Sequence, residues 1–271
     1  MSQAILTTLR RQLGEWARQP ANRRFLQQDQ EAQLRGSIGD ERRRPQTLVA
    51  AWLLGTFCLG NGMARVLEGD AEGFDEARVG QGLRRCSLLL RAQHGAAPRG
   101  PSRLPFSRQH GAWTALLGLA LHDPGAEPLY ELLRGEAEAS FAADEALPLF
   151  ARALLALHAG QRPSLTPRLG VYHEVLLHWH GEPRLFAQRL AVALDAHLDG
   201  ARQAGGAFDD PPCRLYPVEV LATKAVREAL GLPMPKVDHP LMFTNLGTMA
   251  PRTPWPQHDL VSQLERELRR R

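Results

Sequence analysis

Residues Leu48 to Leu67 read LVAAWLLGTFCLGNGMARVL and carry no charge before Arg65. A helix that is apolar on every side has to be surrounded, so this run constrains everything around it. A membrane is one such surrounding, and it calls for about 20 strongly apolar residues. Here Gly55, Thr56, Gly60, Asn61 and Gly62 interrupt the run, and the other periodic stretches of the chain are amphipathic. The run is therefore expected to be a central helix buried inside protein, with no membrane partner. Its glycines are expected to let neighbouring helices approach closely.

The neighbours are legible from their period. Glu182 to Arg202 resolves on a helical wheel into an apolar face (Phe186, Leu190, Ala193, Leu194, His197, Ala201) and a polar one (Gln188, Asp195, Asp199, Arg202). Pro183 suits a first helical turn. Ser2–Arg18 carries Ile5, Leu9, Leu13 and Trp16 on one stripe, and Pro20 ends it. Further helices are expected over 22–34, 72–93, 107–121, 127–133, 144–157, 169–179, 217–230 and 259–271. Residues 232–256 hold six prolines and no helical period, which predicts an extended segment lying over the surface of the bundle. No strand alternation stands out. The expected fold is all-α, one domain over 1–271 with about ten or eleven helices packed antiparallel through short connections. The turn-rich loop 95–105 could divide it into lobes 1–94 and 106–271.

Composition excludes some functions. With 23% charged and 44% apolar residues the chain has enough apolar content for a large core, and a net charge of +4 is too small to imply nucleic-acid binding. Cys58, Cys86 and Cys213 are an odd, widely spaced set that fits reduced thiols, and the N-terminus lacks a secretion-signal layout. A cytoplasmic location is expected.

Motifs for chemistry are weak. His173 and His178 form HExxxH, and five residues on a helix place them about 140° apart, where HExxH gives about 40°. One ion cannot take both from a regular helix, and no metal or cofactor is expected. His197 sits on an apolar face, where a core histidine with a carbonyl or carboxylate partner is the expected role. Cys213 has no flanking sign of an activated nucleophile, and neither GxGxxG nor GxSxG occurs. Charge is more suggestive. Glu127, Glu131, Glu136, Glu138, Asp144 and Glu145 form an acidic run opposed only by Arg134, and Glu68 to Glu76 forms a second. Such a run is either a solvated face or a docking patch for a basic partner.

The segment GEPRLFAQRLAVALDAHL resembles a recurrent segment of the Immunity protein 49 family of bacterial polymorphic-toxin systems. HGAWTALLGLALHD, PLYELL and DEALPLFARALLAL resemble the middle helices of that family, and YPVEVLATKAVREALGLPMPK is similar to its late helix. Together they span Gln109 to Lys236, and the proline-rich stretch after Pro233 departs from the family's compact ending. The resemblance implies a cytoplasmic, all-helical protein without catalytic residues. It would bind and neutralise a cognate toxin, often a nuclease delivered by type VI or contact-dependent secretion. The six acidic residues from Glu127 to Glu145 are then the expected toxin contact. The alternatives are a helical adaptor that loads an effector and an enzyme using His173–His180 or His197.

Overall fold

The computed structural model describes residues 2–94, 104–142 and 144–270. Among them are eleven helices and no strand, as the periodicity predicts. In chain order they are α1 (Ser2–Arg18), α2 (Gln30–Ser37), α3 (Arg44–Leu67), α4 (Gly73–His94), α5 (Arg108–Leu121) and α6 (Glu127–Arg134). Then come α7 (Ala146–His158), α8 (Val171–Leu177), α9 (Pro183–Arg202), α10 (Val218–Ala229) and α11 (Asp259–Arg269).

The apolar run is α3, which starts four residues earlier than its hydrophobicity does, with Pro45 in the first turn. By length and composition alone this helix could cross a membrane, but 67% of its apolar window is buried inside the fold. Its glycines serve the close approach expected of them. A β-carbon on Gly62 would lie 2.5 Å from the Gly73 carbonyl oxygen, and one on Gly80 would lie 2.6 Å from that of Gly55. The contact points move seven residues forward on α3 and seven back on α4. The two helices are therefore antiparallel, with their backbones touching at two successive glycine crossings. Trp16 of α1 lies over Gly60 and against Phe57, so the third glycine of α3 makes room for an indole.

Two expectations about connections change. Helical structure runs from Pro20 to Ser37, longer than the 22–34 predicted, and Arg23–Asp29 within it is π-helical. The proline-rich segment does not merely lie over the bundle. It makes two 3-10 turns, Pro240–Phe243 and Asn245–Gly247, and buries Val237, His239, Leu241, Leu246 and Ala250. Prolines remove donors and leave carbonyls without helical partners. Arginines from the helices supply those partners. Arg78 of α4 donates to the Pro251 carbonyl and to Thr253, and Arg227 of α10 donates to the Pro233 and Trp179 carbonyls.

The main apolar cluster takes residues from Leu6 through Ala250, on both sides of the loop 95–105. A smaller cluster joins α2, α3 and α4 to Leu260, Val261 and Leu264 of α11. A split into lobes 1–94 and 106–271 has no counterpart in this packing. Residues 95–103 of the expected loop lie outside the described residues, while Leu104 and Phe106 are already core.

Candidate interaction surface

Helix α6 is short and sharply two-faced. Leu129, Tyr130 and Leu133 are buried, whereas Glu127 and Glu131, four residues apart, share the exposed side. Glu127 opens the helix, where a carboxylate is favoured by the helix dipole, and ion-pairs with Arg134 at 2.9 Å. Glu131 makes no ion pair among the described residues.

The rest of the acidic run does not form one solvated face. Glu136 is 1% exposed, accepts a hydrogen bond from Ser140 at 3.2 Å and lies 3.9 Å from Arg108. Glu145 accepts from Arg108 at 2.7 and 2.9 Å and from the Ala142 N–H at 2.5 Å. These two carboxylates bind the irregular stretch between α6 and α7 to α5; Glu136 is buried there and Glu145 is half-buried. Glu138 is half-buried, with its carbonyl accepting from Arg168, and Asp144 is exposed. Of the six residues expected to meet a partner, Glu127, Glu131 and Asp144 are exposed. The second acidic run is neutralised internally: Arg65 reaches Asp70, Glu72 and Glu76, Arg18 reaches Glu68, and Arg78 reaches Asp75.

Beside α6 runs an open groove of about 1030 Å³ between α4, α6 and α11. Leu89, Ala92, Leu132 and Leu268 make it apolar, and Glu131 and Glu265 stand at its sides. Arg85, 4% exposed, binds Asp123 at 2.9 Å and Glu265 at 2.7 Å, which fixes the α4 and α11 walls to each other.

The histidines are occupied elsewhere. His173 and His178 lie 3.4 and 3.6 Å from the two oxygens of Glu174, so the residue between them draws both rings. Among the described residues no three His, Cys, Asp or Glu side chains are grouped to hold a metal ion. His197 is fully buried, as is its partner Glu219, whose carboxylate lies 2.9 Å from Nδ1. Nε2 donates to the Arg214 carbonyl at 3.1 Å, and Glu219 also accepts from the Tyr172 hydroxyl at 3.3 Å. Burial, and then the Glu219 charge, push the Tyr172 phenol well above its usual value. Phe208 stacks on the imidazole at 3.9 Å and Trp113 meets it edge-on. This triad-like set is sealed inside the core and ties α8, α9 and α10 together. Burial also raises the Cys86 thiol to about 12, which makes it an inert core group.

Sequence reasoning placed His197 in the core but could not name Glu219. It also missed the buried arginines of α4, because a charged residue on a wheel reads as solvent-facing. The available signal was periodic: Arg78 and Arg85 are seven apart, on the same side of the helix as Gln81. Neither a family model, nor a curated protein, nor a solved structure matches the chain. The resemblance within Gln109–Lys236 therefore rests on its quoted segments alone.

Proposed function

We propose that the protein is an immunity protein that binds a cognate antibacterial toxin and occludes it, without catalytic activity of its own. The observation that carries this reading is the apolar groove beside α6, with the unpaired carboxylate of Glu131 on its edge. A rigid helical scaffold with an open apolar channel and a charged rim suits protein binding, where an apolar centre supplies affinity and the rim selects the partner. The His197 cluster is sealed in the core, and Arg85, which lines the groove, is held by Asp123 and Glu265. The quoted segments support the same reading. The partner is expected to present basic residues, as a nuclease domain does.

The test is co-expression with the toxin-like C-terminal domain of a neighbouring reading frame. Rescue of growth together with a stable complex is the expected result. A complex without rescue would support the helical adaptor, and neither complex nor rescue would remove both readings.

A further inference from the structure

The three helices that wall the apolar groove share one direction. Between α4 and α11, a β-carbon on Gly82 would touch Val261, Arg85 ion-pairs with Glu265, and Gln93 donates to the Leu268 carbonyl at 3.1 Å. The residue numbers rise together, so these two helices are parallel. Helix α5 runs against α4, since Arg78 donates to the Leu121 carbonyl and Gln81 to that of Thr114. Helix α6 runs against α5 in turn. A β-carbon on Gly118 would touch Ala126, and one on Gly111 would touch Leu133. Hence α4, α6 and α11 point the same way, and their C-terminal ends meet at the end of the groove lined by Gln93, Gly135 and Arg269.

The groove limits the form of its occupant. Leu89 and Leu104 are buried at its floor, and Ala92, Leu132 and Leu268 line it half-buried. An extended peptide pressed onto these side chains would lose water from its N–H and C=O groups without replacement, whereas a helix satisfies them within itself. No strand among the described residues offers an edge for a peptide to extend, and no aromatic side chain lines the groove as a polyproline segment requires. From Arg85 to Gln93 the α4 wall is about 12 Å long at 1.5 Å per residue, which matches two helical turns. Charge adds a direction. Glu131 on the α6 wall and Arg269 at the end of α11 are exposed, and neither makes an ion pair among the described residues.

We infer that the groove receives an amphipathic helix of the partner, about two turns long at the contact and antiparallel to the three walls. In that direction its dipole-positive N-terminus meets the three dipole-negative C-termini. Its apolar stripe falls at i, i+3 or i+4, and i+7, with a lysine or arginine on the flank facing Glu131. An acidic residue in its first turn meets Arg269. This assignment rests on the groove being the partner contact, and it does not require that partner to be a toxin.

The test is phage display of random peptides of about twelve residues, selected on the folded full chain. Ala92→Arg, which would put a long side chain into the groove, is the blocked control, and Leu268→Gln is a second one. Circular dichroism verifies the fold of each variant. The native chain is expected to enrich peptides with the stripe and a basic flank, which gain helicity on binding and are lost on both controls. Glu131→Lys as bait should select an acidic flank instead, and should weaken a peptide chosen on the native chain by roughly fivefold, the size of one exposed ion pair. Enrichment of extended proline-rich peptides, no enrichment over the blocked controls, or an unchanged flank charge would overturn the proposal. A dimer of the chain that Ala92→Arg dissolves would make the groove a self-contact and overturn it too. If helices are selected but no toxin complex forms, only the toxin assignment falls. If Ala92→Arg abolishes a toxin complex but no helix is selected, only the helical occupant is ruled out.

Discussion

Arg85 holds its guanidinium, almost out of water, between the buried Asp123 and Glu265 of the last helix. Removing one member of such a pair strands the other, which costs about 3–5 kcal/mol. Arg85→Met is therefore expected to lower the unfolding free energy by that amount, read as a lower urea midpoint with an unchanged slope. Adding Asp123→Asn should recover part of the loss, because the asparagine oxygen can still accept from the Gly125 N–H that Asp123 now binds at 2.9 Å. If the single variant loses under 1 kcal/mol, the pair is not the tether described. His239 gives a second residue-scale prediction. It is 4% exposed, its Nδ1 accepts from the Leu241 N–H at 3.2 Å, and Nε2 lies 3.5 Å from Asp195. Burial holds its pKa below the ordinary imidazole value of about 6.5, against the opposing pull of Asp195. The unfolded chain thus takes up a proton that the folded chain resists. Stability is full above about 6.5 and falls with pH until the folded-state value is passed. His239→Asn keeps a cap acceptor and removes the titration, so the slope of stability against pH between 6.5 and 5 should be shallower in that variant.

At the level of elements, the α3–α4 crossing turns on competing magnitudes. Replacing a helical glycine by alanine gains about 1 kcal/mol in propensity, while forcing an extra carbon into a packed contact costs about 1–3 kcal/mol. At Gly62 the obstructing atoms are the backbone of Gly73 and Ala77, which cannot move aside as a flexible side chain can. Gly62→Ala should therefore lose at least about 1 kcal/mol net, read as a lower thermal midpoint. Gly36 is helical, exposed and has nothing within 4 Å of an added carbon, so Gly36→Ala should raise the midpoint. Equal effects at the two sites would refute the close crossing. That some helix would approach α3 closely was readable because glycines in a charge-free run have few other uses, whereas the identity of that helix was not. The π-helical turn at Arg23–Asp29 was not readable, since its residues are ordinary helix formers and nothing in their spacing marks the wider turn. The proline-rich segment was misjudged for a related reason. Lack of period describes a backbone, whereas Leu241 and Leu246 are buried in the main core and arginines from distant helices bind the Pro233 and Pro251 carbonyls at the ends of the segment.

The whole molecule decides which charges face outward. In the sequence the acidic residues from Glu127 to Glu145 form a single run, but Arg108 lies on another helix and draws Glu136 and Glu145 inward. Linear charge patterning cannot show this, because it carries no information about which opposite charge the fold brings near. The run therefore divides into two sets with opposite expected behaviour. Glu131→Lys with Asp144→Lys alters exposed groups and should change stability by no more than about 0.5 kcal/mol. If this surface meets a basic toxin, the same pair should slow association and flatten its salt dependence, since exposed charges act mainly through long-range steering. Glu136→Lys puts a cation into a site that is 1% exposed beside Arg108, and it should unfold the stretch between α6 and α7 or prevent soluble expression. A comparison of association rates and unfolding midpoints separates the sets. A double variant that stays folded and binds at an unchanged rate would move the contact away from α6. Loss of stability in the Glu131 and Asp144 variant would mean that those carboxylates are structural too, and the groove would then have to select its partner by apolar shape alone.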